Sequence, residues 1–569
     1  MNSSDGAKKG YYSYPLSAFI GPKATSKLNT MLDKILNDFT VQINRVTAPS
    51  EFEFAPIFNV AVPFVDRHLT EHRGGKIAIR TKTNSVTYQE LAEQVNRCGN
   101  MLLDKGLKPG QRLLMVVKDT EAFLYLFWGA IKAGIIPVPT NTLLRHGDYA
   151  YMIDKTQCKA LCYSREYESE VSMALDKSSH KPELLLVEGI TPSEQNSLEK
   201  ALSSSSPELE PHPADAETDC FWLFSSGSTG RPKAAVHRHR DMVVTSELYG
   251  VGCLNIHEAD IFYSAAKLFF AYGLGNAMTL PLWIGGTIIL DHRKPTPKIT
   301  FENISNYSPT LYFGVPTLYA SLLNHFDELP SKPNLKSIRA CISAGEALPA
   351  DILMRWKERV GIDILDGIGS TEALHIFITN RLNQIIPGAS GLVVPGYSAR
   401  ILDENDQDLG PGETGRLVVK GPSIARCYWE DNEQTAQTMK GEWLETGDTY
   451  TRDQNNVFTY CGRTDDMMKV GGIWCSPFEI ESELSSHPSV LECAIVAKKD
   501  DAGLVKPSAF IVLNDRSEEG EALKKELTNY LRNNLAPYKF PRWMEFVDEL
   551  PKTATGKVQR FKLRTSQDT

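Results

Sequence analysis

The sequence predicts an α/β protein with a large N-terminal domain of packed mixed sheets and helices, a small β subdomain, and a smaller α+β C-terminal domain. From Phe58 onward, helical and apolar strand-like segments alternate, as they do around a largely parallel sheet. Short strands separated by turns at 399–421 indicate the β subdomain. Near Arg463 the pattern changes to two strand-like runs and a charged amphipathic helix at 518–535, which indicates a separate final domain.

The first long helix has clear start and stop signals. Thr87 and Glu90 form a capping box, and Gly106 is a good helix stop. The apolar residues between them recur at helical spacing: Leu91, Val95, Cys98 and Leu102. A strand is expected at 112–117, followed by another helix and the apolar strand GIIPVP at 134–139.

Composition and charge exclude several classes of protein. The 569 residues carry a net charge of -9, so they provide no basic field for nucleic acid. The most apolar stretch, 122–139, has Lys132 in its middle and two prolines at its end. These features favour a buried helix and strand over a membrane span. We expect no nucleic-acid partner and no transmembrane segment, and we leave a homodimer open.

The ten cysteines are scattered, and the pair Cys158 and Cys162 lacks CxxC spacing, so a disulfide framework or a metal site is not indicated. Residues 1–50 are rich in lysine, with no arginine before Arg45 and no apolar core of signal-peptide length. We expect a cytoplasmic protein, with the mitochondrial matrix as an alternative, and a mobile or surface-packed extension at 1–50.

The stretch FWLFSSGSTGRPKAAVHRHRDM, 221–242, places a short apolar strand directly before a polar loop. Such a loop can wrap phosphate oxygens, because its hydroxyls donate hydrogen bonds and its glycines let backbone N–H groups approach an anion. The candidate contacts are Ser225, Ser226, Gly227, Ser228, Thr229, Gly230 and the positively charged Lys233. A surface turn is the alternative, and the P-loop pattern is not met. We expect the loop at the end of a strand in an open α/β sheet.

SSGSTGRPK resembles the phosphate loop of the adenylate-forming superfamily, which includes acyl-CoA synthetases, non-ribosomal adenylation domains and luciferases. Five further motifs follow in the family's order: SAGEAL at 343–348, DGIGSTE at 366–372, ETGD at 445–448, GRTDDMMKVGG at 462–472 and PKTATGK at 551–557. The resemblance extends from about Phe58 to Leu563. It implies an AMP-binding N-terminal domain at 51–464 and a mobile C-terminal domain at 465–569, with the 1–50 extension outside it.

The resemblance implies ATP, Mg²⁺ and coenzyme A as cofactors, and it assigns nucleotide contacts. Attack of a carboxylate on the α-phosphate crowds negative charge, so the site needs cations and hydrogen-bond donors. Glu372 is expected to hold Mg²⁺, and Thr371 to donate to phosphate. The ribose is assigned to Asp448 and Arg463, and the adenine to Gly345, Glu346 and Asp366. Gly367, just before Thr371 and Glu372, is a further cofactor contact because it lets the backbone approach the ligand. A solvated Thr-Glu pair and an Asp that caps a turn are the structural alternatives for Thr371, Glu372 and Asp448.

Two catalytic assignments fall near the C-terminus. Lys557 corresponds to the lysine that bridges the acyl carboxylate and the α-phosphate, although a lysine near a chain end is usually just solvated. Asp465 corresponds to the hinge about which the small domain rotates between half-reactions. Gly471 and Gly472 would then let the pantetheine arm pass. A glycine-containing turn at a domain junction is the alternative.

The segments KLFFAYGLGN, 267–276, and GSTEALHIF, 369–377, resemble the acyl-pocket walls of benzoate-CoA ligases and their aryl-CoA relatives. The ring contacts this implies are Phe270, Ala271, Tyr272, Gly369, His375 and Ile376. Together they describe a flat apolar slot without length for a long alkyl chain. Ala234 and Gly471 replace a glycine and a serine that are common in the family, which are small changes.

The resemblance implies an AMP-forming acid-thiol ligase that activates benzoate or a close benzoate analogue as an aryl-adenylate and transfers the acyl group to CoA. Alternatives are an aryl-acid adenylating enzyme that loads a carrier protein, and a catalytically silent binding protein on the same fold. Intact Lys557, Asp448 and Glu372 argue against a silent protein. The sequence does not select among ring substituents, because a few atoms change binding by only about 1 to 3 kcal/mol.

Overall fold

A computed structural model describes residues 39–191, 193–226, 231–470, 473–500, 504–552 and 558–565. Its largest sheet, sheet A, is parallel through its middle strands and antiparallel at both edges. In spatial order its strands are Leu392–Val393, Ile376–Thr379, Ile364–Gly369, Ala340–Ser343, Leu311–Gly314, Ile261–Ser264, Thr287–Ile289, Ile77–Arg80 and Ser85–Thr87. The prediction of a largely parallel sheet is confirmed.

Besides sheet A, the described residues form four sheets of three or more strands. Sheet B is parallel: Ile136–Pro139, Arg112–Val116, Ala160–Ser164 and Leu184–Glu188. Sheet C is antiparallel: Cys427–Tyr428, Pro232–Arg238 and Asp219–Ser226. Sheet D is the predicted β subdomain: Ser398–Leu402, Gly415–Lys420, Trp443–Arg452, Met439–Lys440 and Phe458–Arg463. Sheet E belongs to the C-terminal domain: Val490–Lys499, Val505–Leu513 and Trp543–Phe546.

Two hairpins stand apart from these sheets: Val41–Asn44 with Glu51–Phe54, and Met468–Val470 with Ile473–Cys475. The α-helices in the described ranges are Arg67–Thr70, Tyr88–Asp104, Glu121–Lys132, His146–Thr156, Glu168–Lys177, Leu198–Ser203, His239–Thr245, Gly252–Leu254, Ala271–Leu274, Leu280–Ile284, Pro297–Tyr307, Pro316–Glu328, Ala350–Val360, Asn432–Thr438, Pro477–Ser485, Glu521–Asn534 and Arg560–Thr565. Short π-helical turns occupy Val62–Asp66, Ser246–Val251 and Gly275–Thr279. Short 3₁₀ turns occupy Arg165–Tyr167, Arg516–Glu518 and Pro537–Lys539.

The two ends of helix Tyr88–Asp104 are set by neighbouring residues: a capping box at its start and a glycine after its end. Thr87 Oγ1 accepts the Glu90 N–H at 3.2 Å, and Glu90 Oε2 accepts the Thr87 N–H at 2.8 Å. Gly106 has a φ of 90°, in the left-handed region that glycine tolerates after a helix. The predicted capping box and stop are confirmed.

The apolar stretch 122–139 folds as the predicted helix, Glu121–Lys132, and strand, Ile136–Pro139. Lys132 is only 2% exposed, and its ammonium donates to Asp66 Oδ1 at 2.7 Å and Asn96 Oδ1 at 2.6 Å. Such pairing is what a buried charge requires. Among the described residues, no helix combines the length and apolarity needed to cross a bilayer.

The C-terminal domain has a core of its own, which runs from Met468 to Leu531. Its last helix, Arg560–Thr565, is tied back by Arg560, whose guanidinium donates to both carboxylate oxygens of Glu481 at 2.8 and 2.7 Å. The large N-terminal part, the β subdomain and the small α+β C-terminal part are all present, which confirms the predicted fold class.

Part of the extension packs on the main domain. Phe39 is buried, and Arg45, in the loop between strands Val41–Asn44 and Glu51–Phe54, forms a bidentate ion pair with the buried Glu247. Trp283 Nε1 donates to the same carboxylate at 3.0 Å. Residues 39–50 are therefore surface-packed, and residues 1–38 lie outside the described ranges.

We expect acid to destabilise this fold through His239. Burial lowers the pKa of His239 to about 3, and its Nδ1 accepts the Val60 N–H at 3.1 Å. Between pH 6.5 and about 3 the unfolded state binds a proton that the folded state does not. The free energy of unfolding should therefore fall by up to about 1.4 kcal/mol per pH unit from this residue as pH drops below 6.5.

Urea unfolding of wild type and His239→Asn between pH 5 and pH 8 tests this expectation. In His239→Asn the free energy of unfolding should depend less on pH than in wild type. In His292→Asn, at an exposed position, the free energy of unfolding should vary with pH as it does in wild type. Equal slopes in wild type and His239→Asn would contradict the assignment.

Candidate active site

Three chain segments with predicted site residues begin at one edge of sheet A. Strands Ile261–Ser264, Leu311–Gly314, Ala340–Ser343 and Ile364–Gly369 are successive parallel neighbours. The carboxyl ends of parallel neighbours meet at one edge, where open α/β sheets place ligands. The segments 265–276, 344–348 and 370–377 follow three of these ends and are brought together there.

The two strands that flank the predicted phosphate loop belong to sheet C and not to sheet A. Strand Asp219–Ser226 pairs antiparallel with Pro232–Arg238, with Lys233 opposite Ser225. The expected strand before the loop is present and ends at Ser226, and its neighbour in sheet C is antiparallel. Loop residues 227–230 lie outside the described ranges. Pro232 is the first residue of strand Pro232–Arg238, a position where the sheet tolerates a residue without an N–H.

Glu372 joins the hairpin to the turn after strand Ile364–Gly369. Its Oε1 accepts the Ser225 hydroxyl at 2.8 Å and the Tyr428 hydroxyl at 2.7 Å. Its backbone carbonyl accepts the Ala425 N–H at 2.7 Å. Glu372 is partly exposed, so its carboxylate is fixed by two hydroxyls and still accessible from the site.

The backbone of Thr371 is hydrogen-bonded to a buried histidine. His237 Nε2 donates to the Thr371 carbonyl at 2.8 Å, while its Nδ1 faces Asp241 Oδ2 at 3.2 Å. Both His237 and Asp241 have 0% exposure. The Thr371–Glu372 turn is therefore tied to strand Pro232–Arg238 by its backbone as well as by the Glu372 side chain.

Lys233 lies beside this cluster. Its ammonium lies over the Tyr428 ring, 5.5 Å from the ring centroid, which is cation–π geometry. Burial lowers the pKa of Lys233, and the Glu372 charge opposes that shift. A partly desolvated cation next to a fixed carboxylate suits a site that must receive a phosphate chain.

The predicted ribose contacts meet on sheet D. Asp448 and Arg463 are direct partners on neighbouring strands, and Arg463 Nη1 donates to Asp448 Oδ1 at 2.9 Å. Gly447 has a φ of 72°, and a Cβ there would lie 2.6 Å from Arg463 Nη2. Glycine is therefore required for both the backbone and the close packing of the guanidinium.

The predicted adenine segments lie side by side, because Ser343 and Asp366 are direct partners on parallel strands. Gly345 has a φ of 93°, and a Cβ on Gly367 would lie 2.9 Å from the Ile378 carbonyl oxygen. Glu346 is half-buried. Burial raises the pKa of Asp366 well above its usual range, while the Leu348 and Gly367 N–H groups lower it. The Asp366 residue is 5% exposed, so its carboxyl group lies at the edge of the core.

The predicted acyl contacts form a cluster beside the adenine segments. The His375 ring lies 4.9 Å from the Tyr249 ring and 6.0 Å from the Tyr272 ring, centroid to centroid. Tyr272 Oη donates to the Gly314 and Ile342 carbonyls at 3.2 and 3.3 Å, so its hydroxyl is anchored to sheet A. Burial lowers the pKa of His375 to about 3, which keeps the imidazole neutral.

The other predicted acyl residues line the same region. Ala271 is 8% and Ile376 2% exposed, and Phe270, half-buried, stacks edge-on against Phe269. Gly369 passes so close to His375 that a Cβ would lie 2.5 Å from the His375 carbonyl oxygen. The predicted acyl residues are therefore closely packed, with Gly369 against the backbone of His375.

Several predicted residues lie outside the described part of the chain, so their positions are not assigned. They are Gly227, Ser228, Thr229, Gly230, Gly471, Gly472 and Lys557, together with the side chain of Ser226. Asp465 is described, and it lies in the turn between strands Phe458–Arg463 and Met468–Val470, where its carbonyl accepts from Arg564 at 3.5 Å.

Three residues of the site carry no sequence signal specific enough to find them: Tyr249, His237 and Tyr428. A fourth, Asn276, ends the predicted acyl segment 267–276 but is not among the predicted ring contacts. Asn276 has 0% exposure, and its Oδ1 lies 3.1 Å from His375 Nε2. In the described ranges no cluster of three or more His, Cys, Asp or Glu could bind a metal. A lone carboxylate with hydroxyls nearby fits Mg²⁺, a hard ion that takes oxygen ligands and is bound largely through substrate phosphates.

Comparison with known proteins gives consistent matches. Residues 65–429 match the family model of the AMP-binding enzymes, and residues 479–557 match that of the AMP-binding enzyme C-terminal domain. A benzoate–CoA ligase of Thauera aromatica is 46% identical over 520 residues, which are 91% of this chain and 98% of that protein.

Two solved structures of CoA ligases are also similar to this chain. The structure of a benzoate CoA ligase from Burkholderia xenovorans LB400 matches with a TM-score of 0.81 at 42% identity, covering 89% of this chain and 100% of that one. The anthranilate CoA ligase AuaEII in complex with anthranoyl-AMP matches with a TM-score of 0.85 at 37% identity, covering 90% and 97%.

We expect Gly275→Ala to destabilise the protein. A Cβ at this position would lie 2.1 Å from His375 Cδ2, inside a cluster with no room for it. Overpacking of this kind costs about 1 to 3 kcal/mol. Gly147→Ala is the control, because it lies in helix His146–Thr156 with nothing within 4 Å of a Cβ, so alanine should be neutral or stabilising. Urea unfolding compares the two, and equal midpoints would contradict the packing argument.

Proposed function

Because the chain belongs to the AMP-binding enzyme family, we propose that it is an AMP-forming aryl-CoA ligase that activates benzoate or a close benzoate analogue. ATP and CoA are its co-substrates. The carboxylate attacks the α-phosphorus of ATP, pyrophosphate leaves, and the resulting aryl-adenylate is attacked by the CoA thiol, which releases AMP. The observation that carries the proposal is the aromatic cluster of His375, Tyr249 and Tyr272, because His375 and Glu372 belong to the same segment, 370–377, that leaves strand Ile364–Gly369.

The arrangement of charge supports this chemistry. Lys233 and the predicted loop 225–230 would hold the phosphates, and Glu372 would hold Mg²⁺, which when bound neutralises phosphate charge. Asp448, fixed by Arg463 at 2.9 Å, is a ready acceptor for ribose hydroxyls. In this proposal the backbone after Ser343 and Asp366 lies along the adenine.

The pocket supports an aryl ring over an alkyl chain. The neutral imidazole of His375 and the rings of Tyr249 and Tyr272 are rigid, flat surfaces, and the Tyr272 hydroxyl is anchored to two carbonyls of sheet A. A rigid aromatic wall accepts a planar ring, whereas a long chain would have to displace packed side chains.

The assignments of compartment and domain boundary stay proposals. All ten cysteines are free thiols, which supports a reducing compartment such as the cytoplasm. We propose Asp465 as the boundary between the AMP-binding domain, 51–464, and a mobile domain, 465–569, because the C-terminal core begins at Met468. A homodimer stays a prediction.

A substrate panel tests the proposed function. Carboxylate-dependent exchange of labelled pyrophosphate into ATP should be fastest with benzoate and small substituted benzoates, and AMP release should then require CoA. Octanoate and palmitate serve as matched acids without a ring. A fatty acid that outruns every aryl acid would refute the assignment of the pocket.

A pair of variants separates the two half-reactions. Lys557→Ala should abolish aryl-adenylate formation while pre-made aryl-adenylate is still converted to the thioester, because only the first step needs a cation between carboxylate and phosphate. Asp465→Pro should spare adenylation and slow thioester formation, because it stiffens the proposed hinge. Each variant is the control for the other, because the two are expected to affect different half-reactions. If both half-reactions changed equally in either variant, its assigned role would be wrong.

A further inference from the structure

We propose that Tyr428 is a positioning residue which, together with Ser225, pins one oxygen of Glu372 and so presents the other oxygen to the magnesium ion of MgATP. This inference rests on the proposed function, since it concerns the same nucleotide site. Tyr428 is distinct from every residue that sequence patterns assign to the site.

The geometry at Glu372 is asymmetric. Oε1 accepts two hydrogen bonds, from Ser225 at 2.8 Å and from Tyr428 at 2.7 Å. Within the described residues, Oε2 has no hydrogen-bond donor. A carboxylate with one oxygen saturated by hydroxyls can rotate little, and its other oxygen remains available to a hard cation.

Tyr428 is itself rigidly held. Its strand, Cys427–Tyr428, pairs with Pro232–Arg238, and its N–H donates to Thr435 Oγ1 at 3.0 Å. The side chain is 4% exposed. The next residue, Trp429, stacks on Trp222 of the phosphate hairpin with ring centroids 4.5 Å apart. The hydroxyl is thus positioned by the same sheet that carries the phosphate loop.

The Tyr428 side chain makes two separable contacts. The hydroxyl donates to Glu372 Oε1 at 2.7 Å. The ring face contacts the Lys233 ammonium at 5.5 Å. Tyr428→Phe removes the hydroxyl and keeps the ring, so it isolates the contact with Glu372.

Calorimetric titration of a non-hydrolysable ATP analogue, α,β-methylene-ATP, tests this role with and without Mg²⁺. In Mg²⁺, Tyr428→Phe should bind about 10-fold more weakly than wild type, which is the size of effect typical for loss of an outer partner of a metal ligand. In EDTA the two proteins should bind within about twofold of each other. Tyr88→Phe is the matched control, because its buried hydroxyl donates to the Gly286 carbonyl at 2.7 Å, and it should match wild type in both conditions.

An equal loss of affinity with and without Mg²⁺, or no loss in either, would overturn the proposal. If Tyr428→Phe melts well below Tyr88→Phe, Ser225→Ala replaces it, because it removes the other hydrogen bond to the same oxygen. Ser225 is also a candidate phosphate contact, so Ser225→Ala should weaken binding in both conditions but by a larger factor in Mg²⁺ than in EDTA. Equal losses in the two conditions, or unchanged binding, would also overturn the proposal. Because the titration contains no carboxylic acid, its outcome is independent of whether benzoate supports pyrophosphate exchange, which is the test of the proposed function.

Discussion

The parallel register of sheet A is the constraint on which the site depends. Ser343 lies opposite both Gly314 and Asp366, so the parallel pairing of these three strands stops at one level. Every segment that leaves these ends begins at the same edge of the sheet. The acyl segment, the adenine segment and the turn with Thr371 and Glu372 are therefore brought together by backbone hydrogen bonds before any side-chain contact is made.

Sheet C supplies the remaining part of the site from outside that sheet. Its hairpin carries Ser225 and Lys233, and its third strand carries Tyr428. The hydrogen bonds from Ser225 and Tyr428 to Glu372, and from His237 to Thr371, connect the two sheets where the phosphates of ATP are proposed to bind. The hairpin and the turn thus form one rigid unit, which fits a reaction that depends on preorganised charge.

Local signals predicted the elements well, because their causes are local. The Thr87–Glu90 capping box, the stop at Gly106 and the helix and strand of 122–139 each follow from side chains a few residues apart. The family motifs predicted Asp448 and Arg463 as neighbours, and the strand register of sheet D pairs them. Their assignment to the ribose stays a prediction.

Contacts between distant segments could not be predicted in this way. Tyr428 meets Glu372 across 56 residues, and His237 meets Thr371 across 134, so no window of sequence contains either pair. The direction of the strand beside Asp219–Ser226 could not be predicted for a related reason. A short apolar run before a Gly-rich loop is the same in a parallel and an antiparallel strand, and only the partner strand, Pro232–Arg238, distinguishes them.

The central claim, that a carboxylate oxygen attacks the α-phosphorus of ATP, is tested most directly by isotope transfer. When ¹⁸O-labelled benzoate is converted to benzoyl-CoA, the oxygen that joins carbonyl carbon and phosphorus in the adenylate stays with AMP after the thiol attacks the carbonyl. Mass spectrometry should therefore find one ¹⁸O atom in each AMP formed. AMP without label, or label in inorganic phosphate, would contradict the account.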